Sequence, residues 1–142
     1  MDYDRYKEKI MNAVSERQLA SIMNKTKWKE LQTAVLNTLP FPPPFQAKYV
    51  LSESPSPNEF EDDVWYVGDW VEGLMPFYDV EWIRVRPRRI VNIGRLIPPE
   101  IIDITEEFMG ILKEYSIPYY CSNESIYIYG YTSQTEKIIR DQ

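Results

Sequence analysis

Four of the five residues from Pro40 to Pro44 are proline, in the run Leu39-Pro40-Phe41-Pro42-Pro43-Pro44-Phe45. No other segment limits the chain so strongly. Proline lacks the backbone N–H and pushes the residue before it out of the helical region. A helix arriving from the N-terminal side must therefore stop near Leu39. The run itself should be extended and polyproline-like, with Phe41 and Phe45 as apolar anchors.

Before this barrier the pattern is helical. Tyr3, Tyr6, Ile10, Ala13 and Val14 recur at helical spacing. Ser15-Glu16-Arg17-Gln18 has the form of a capping box, with Val14 and Leu19 placed as a hydrophobic staple. The expectation is one helix ending near Val14 and a second starting at Ser15. Trp28, Leu31, Val35 and Leu39 form the stripe of a third, capped by Asn24 or Thr26.

After the barrier the pattern becomes that of strands. Ala47–Ser52, Val64–Trp70 and Phe77–Arg86 read as strands rich in valine and aromatics. Gly68 signals a bulge or a close backbone approach. In the last of these, Val80 and Trp82 share one face while Ile83 and Val85 share the other. Either both faces are covered or a bulge near Trp82 shifts the register. Ile104, Phe108, Ile111, Leu112 and Tyr115 mark one more helix. It could start at Pro98-Pro99 or, as preferred here, near Asp103–Thr105, with Glu100–Ile102 extended. Pro118 ends it. A hairpin follows: Tyr119–Cys121, a turn at Ser122–Ser125, then Ile126–Tyr131. Gln134–Arg140 could add a short terminal helix.

These elements predict an α+β fold: a twisted antiparallel β-sheet of four to five strands with helices packed mainly on one face. The chain reads as a single domain over residues 1–142. Within it lie a helical segment 1–38, a polyproline connection 39–45, a β region 46–90, a helix at about 103–115 and a hairpin at 117–131. Trp28, Leu31, Val35, Val64, Tyr66, Val80, Trp82, Phe108, Ile111, Leu112, Ile126 and Ile128 should form the core.

Absent residues narrow the chemistry. The 142 residues include no histidine and one cysteine, Cys121. That removes histidine-based triads, imidazole proton shuttles and thiolate clusters. No glycine-rich phosphate loop or dinucleotide fingerprint is present. No cofactor, metal or catalytic residue is expected. The charged N-terminus, Met1-Asp2-Tyr3-Asp4-Arg5, is followed by no apolar run, so neither a signal peptide nor a membrane span is expected and the cytoplasm is the default location.

Charge is unevenly spread within a net of −6. Residues 46–82 carry Glu53, Glu59, Glu61, Asp62, Asp63, Asp69, Glu72, Asp79 and Glu81 against Lys48. Residues 83–99 carry Arg84, Arg86, Arg88, Arg89 and Arg95 and no acid. Each cluster has a functional reading beside an ordinary one. Glu59-Phe60-Glu61-Asp62-Asp63 could hold a cation or a catalytic carboxylate pair, or be a solvated loop. Asp79 and Glu81 beside Arg84 and Arg86 could be a tuned carboxylate site that grips an anion, or ion pairs across a sheet face. The arginine block could bind phosphate or nucleic acid. An acidic protein attracts nucleic acid poorly, and pairing with its own acidic segment or an acidic patch on a partner explains the block better. Trp70, Trp82, Tyr127 and Tyr129 could stack on a ligand or build a sheet face.

The stretches Leu39-Pro40-Phe41-Pro42-Pro43-Pro44-Phe45-Gln46, Asp63-Val64-Trp65-Tyr66-Val67-Gly68-Asp69-Trp70 and Pro76-Phe77-Tyr78-Asp79-Val80-Glu81-Trp82-Ile83-Arg84-Val85-Arg86-Pro87 resemble an uncharacterised family of small, cytosolic, Bacillus-type bacterial proteins. The likeness runs from about Asn24 to Tyr131. It implies a bacterial cytosolic origin and brings no catalytic residues with it. The short, acidic, aromatic-rich character also resembles immunity proteins of contact-dependent toxin systems.

The leading expectation is thus a non-enzymatic protein-interaction domain. An immunity-type inhibitor would meet a basic partner through Glu59, Glu61, Asp62, Asp63, Asp69, Asp79 and Glu81. The alternatives are a small-ligand-binding domain or carboxylate-dependent enzyme at Asp79/Glu81, and phosphate or nucleic-acid binding at Arg84–Arg95. Homo-oligomerisation is left open.

Overall fold

The computed structural model describes residues 3–138. Helix α1 (Tyr3–Glu16) leads through a two-residue strand β1 (Ala20–Ser21) to α2 (Lys25–Thr38). After the proline run come β2 (Phe45–Tyr49), β3 (Val80–Val85), β4 (Arg88–Val91) and β5 (Glu100–Asp103). Helix α3 (Thr105–Glu114), the hairpin strands β6 (Tyr120–Ser122) and β7 (Ser125–Tyr129), and β8 (Tyr131–Thr132) complete the chain. The fold is α+β. Its main sheet has four antiparallel strands in the order β2-β3-β7-β6, flanked by two separate ribbons, β1-β8 and β4-β5.

The sheet's inner face carries Ala47, Val80, Ile83, Val85, Ile126 and Ile128. Against it pack Trp28, Leu31 and Val35 of α2 and Phe108, Ile111 and Leu112 of α3. Trp70 and Phe45 meet edge-on at 5.1 Å in the same core. Helix α1 sits apart on a smaller cluster built around Ile10, Val50 and Tyr131.

The register of β3 explains how Val80 and Ile83 reach the same face. Tyr49 pairs with Val80 and Lys48 with Trp82, so one step on β2 spans two on β3. Glu81 is the extra residue of a bulge. Past it, Trp82 and Arg84 point to the outer face. This corrects the expected core: Trp82 and Tyr66 are only half-buried.

Two expected elements are absent. No helix begins at Ser15. Helix α1 runs on to Glu16 and ends with Gln18 at φ 55°. Leu19 N–H donates to Val14 O at 3.0 Å and Gln18 N–H to Ser15 O at 3.1 Å. This is a Schellman ending, and Val14 and Leu19 are its hydrophobic pair. Nor is Val64–Trp70 a strand. It runs beside the proline segment, whose carbonyls have no N–H neighbours of their own to serve. Pro42 O accepts from Gly68 N–H, Pro43 O from the Trp70 indole at 2.8 Å and Pro44 O from Arg86 N–H. Gly68 is needed there, because a Cβ would lie 2.4 Å from Pro43 O. Likewise Phe77–Asp79 is a turn of 3-10 helix and only Val80–Val85 of the expected Phe77–Arg86 strand joins the sheet.

Helix α3 begins at Thr105, whose N–H donates to the Asp103 carboxylate at 2.8 Å, and Glu100–Asp103 is extended. The β6-β7 turn places Asn123 and Glu124 at φ 49° and 63°. A short 3-10 turn covers Thr135–Lys137, and the rest of the expected terminal helix lies outside the described residues.

Candidate functional site

The acidic residues singled out from the sequence divide between exposed loops, local pairs and the interior. Glu59, Glu61 and Asp62 are exposed in the loop before Val64. Asp62 holds Arg86 at 2.9 Å and Asp63 holds Arg88 at 2.8 Å. Asp69 accepts the N–H groups of Val71 and Glu72, closing a local turn.

Asp79 and Glu81 lie inside the structure, and neither meets Arg84 or Arg86. Glu81, 8% exposed, receives a bidentate pair of hydrogen bonds from Arg17, both 2.8 Å, and one from Lys48 at 3.0 Å. Burial alone would raise its pKa. The donated hydrogen bonds outweigh burial and hold the carboxyl below the usual glutamate value. Asp79 is the opposite case. Burial raises its pKa, and the Tyr6 hydroxyl, donating at 2.6 Å, offsets this only in part. The same contact pushes Tyr6 up to about 12. The other carboxylate oxygen of Asp79 is buried with no hydrogen-bond partner.

The arginine block is mostly consumed by the protein itself. Arg84 donates to Ser125 Oγ and sits over the Phe60 ring. Arg86, 2% exposed, binds Asp62 and the Asn123 carbonyl. Its burial lowers its pKa, against the pull of Asp62. Arg88 pairs with Asp63 and Glu124. Arg89 donates to Trp65 O and lies over Phe41. Arg95 is exposed in the loop between β4 and β5.

Of the aromatic candidates, Trp82, Tyr127 and Tyr129 do come together, joined by Tyr120. Trp82 packs edge-on against Tyr127, and Tyr127 stacks on Tyr129 at 6.1 Å. With Lys48 and Arg84 they form the half-buried outer face of the sheet. Trp70 is elsewhere, 1% exposed in the core.

Two surfaces were not anticipated. The first is the β4-β5 ribbon. Ile93, Leu96, Ile97, Ile101 and Ile102 are all exposed, Leu96 at 98%. Its base is fixed: Ile90 N–H donates to Val64 O, Ile104 N–H to Pro87 O, and Arg88 and Arg89 are anchored as above. Trp65, 73% exposed, stands next to that base. The sequence carries the signal as the large aliphatic residues Ile90, Val91, Ile93, Leu96, Ile97, Ile101 and Ile102, a spacing that does not say whether they are buried or exposed. The second is a groove of about 410 Å³ between α1, the start of α2 and Met75–Tyr78.

Among the described residues no group of three or more histidine, cysteine or acidic side chains could hold a metal ion, and no helix is long and apolar enough to cross a membrane. A model of a family of unknown function, DUF6678, matches residues 10–135. The chain belongs to the DUF6678 family. No curated protein and no solved structure matches it. The match covers both the four-stranded sheet and the ribbon. It therefore places the exposed apolar residues within the family's own span, not in an appendage to it.

Proposed function

We propose that this member of the DUF6678 family is a protein-interaction domain that docks a partner through the β4-β5 ribbon. One observation carries the proposal: five large aliphatic residues within positions 93–102 face solvent on a ribbon whose base is pinned. Ile101 and Ile102, neighbours on β5, point to opposite faces, so the ribbon is apolar and exposed on both, and large apolar surface left uncovered in this way marks interaction sites. Arg95 and Glu100 are both exposed among them, so the matching surface is apolar with an acidic group facing Arg95. The family match over residues 10–135 supports reading the chain as one domain. The bacterial, cytoplasmic setting implied by the sequence resemblance belongs to the same proposal.

The other expectations have less support. An immunity-type inhibitor gripping a basic target has Glu59, Glu61, Asp62 and Asp69 to offer, but Asp79 and Glu81 are buried and partnered. A carboxylate-dependent enzyme at Asp79/Glu81 would need Arg84 or Arg86 beside them, and these bind Ser125 and Asp62 instead. Nucleic-acid binding would draw on Arg84, Arg86, Arg88 and Arg89, which are already engaged within the fold, leaving Arg95.

The test compares the wild type with Leu96→Ser/Ile97→Ser in affinity capture from the native cells, alongside light scattering of the purified chain. A partner held by the wild type, lost by the variant and weakened by Arg95→Glu supports the reading, provided the melting temperatures agree. A ribbon-dependent dimer of the purified chain would identify the partner as a second copy. Identical capture by wild type and variant, with both monomeric, overturns it.

A further inference from the structure

The groove beside α1 has the size and the lining of a small-ligand site. Its floor is formed by Met23, Trp28 and Phe77, 5%, 2% and 9% exposed, and these side chains belong to the main core. The floor is therefore held rigid from below. Its lips are the flexible thioethers of Met11 on α1 and Met75 on the facing segment, 36% and 53% exposed. Methionine adapts its shape to whatever lies against it, which suits a wall that must close over ligands of varying outline. The volume of about 410 Å³ falls within the range of small-molecule sites, roughly 300–1,000 Å³.

The charges at the rim define the ligand further. Lys7 and Lys25 line the groove, and no carboxylate does among the described residues. Lys7 Nζ stands 5.3 Å from the centre of the Tyr78 ring, which also lines the groove. Asp79, the next residue along, turns its carboxyl to Tyr6 and is not part of the lining. On a chain of net charge −6, an apolar cleft rimmed only by cations is a local exception. An apolar molecule with one anionic head would bury its chain on the Met23–Trp28–Phe77 floor and leave its head between the two lysines. A neutral or cationic analogue would gain the first contact and lose the second.

We propose that this groove binds a free apolar monocarboxylate of the fatty-acid class, with the tail on Trp28 and the carboxylate at Lys7 and Lys25. This site is independent of the ribbon.

The methionines provide the readout. With ¹³C-methyl methionine labelling, decanoate below its micelle concentration should shift the Met11, Met23 and Met75 methyl signals saturably. Met109, which is not in the lining, should stay unmoved. Across octanoate, decanoate and dodecanoate, each added CH₂ should tighten binding about fourfold until the groove is full. Lys7→Gln/Lys25→Gln should weaken decanoate about fivefold and leave decanol unaffected. The proposal is overturned if the three methyls show no saturable shift, if decylamine binds as tightly as decanoate, or if Met109 shifts as much as the others. Loss of the two lysines without effect on decanoate would also overturn it.

Discussion

Removing the carboxylate of Glu81 should be among the most damaging single changes to a charged residue in this protein. The Glu81 and Lys48 side chains are 11% and 14% exposed, while Arg17 is 43% exposed. In Glu81→Ala, Arg17 can turn to water at little cost. Lys48 cannot, and keeps only the Tyr49 carbonyl at 2.9 Å. Breaking a buried pair from one side typically costs about 3–5 kcal/mol because the other charge is stranded. The freedom of Arg17 places Glu81→Ala at the lower end, about 3 kcal/mol. Replacing both buried partners should restore most of this. Lys48→Met/Glu81→Leu removes the stranded charge, so the double variant should lie within about 1 kcal/mol of the wild type, far from the sum of the single changes. Urea unfolding at pH 7 of the wild type, Lys48→Met, Glu81→Leu and the double variant measures the cycle, with Glu81→Ala run beside them. The pH dependence gives a second check. The folded pKa of Glu81 lies below the unfolded value, so its contribution is complete above the ordinary carboxylate range. It fades as pH falls through the folded pKa, and the gap between wild type and Glu81→Ala should narrow on acidification. A cost under about 1 kcal/mol at pH 7, or a gap that stays constant into strong acid, would refute the reasoning.

Three further outcomes follow from backbone geometry. Gly130→Ala should lower stability by about 3 kcal/mol in thermal or urea unfolding, because its Cβ would sit 2.1 Å from the Val80 carbonyl oxygen in the sheet. Glu124→Gly should raise stability by about 1 kcal/mol, as glycine relieves the φ of 63° and the lost Arg88 contact is 73% exposed on the Glu124 side. Asn24→Ala should cost about 1 kcal/mol, since the Asn24 side chain caps α2 by accepting from Lys27 N–H at 2.8 Å.

What could be read from the sequence was local. The proline run had to stop α2 and stay extended. The stripe Trp28-Leu31-Val35 had to face a core, and Gly68 marked a bulge or a close approach, of which the structure shows the approach. The switch of face within β3 left two readings, a sheet covered on both faces or a bulge near Trp82, and the register decides for the bulge, at Glu81. The end of α1 shows how a local signal can be read at the wrong terminus. Val14 and Leu19 can staple the start of a helix or seal the end of one, and the sequence around them suits both. The same residues meet in either case; what differs is Gln18 adopting a positive φ and the chain turning away to pair Ala20 with Thr132. That pairing spans more than a hundred residues, and no periodicity encodes it.

The candidate site was harder to read for a related reason. Charge partners are chosen in three dimensions. Glu81 has Arg84 three positions away on its own strand, yet binds Arg17, which the end of α1 delivers from 64 positions away. Arg86 goes inside because Asp62 and the Asn123 carbonyl surround it. Once buried carboxylates are matched to buried cations, the charge blocks seen along the chain no longer map onto surface patches. The apolar residues show the inverse. Trp82 leaves the core for the outer sheet face, and Leu96 and its neighbours stand in solvent with a ribbon holding them there. Burying Asp79 with one oxygen unpaired while exposing Leu96 reverses the sorting that folding alone favours. Places where a sequence breaks its own local rules are where function is expected to have set the residue. By that criterion the ribbon has the stronger claim to a function: the Asp79 carboxyl has Tyr6 to hold it, and Leu96, at 98% exposure, has solvent around almost all of its surface.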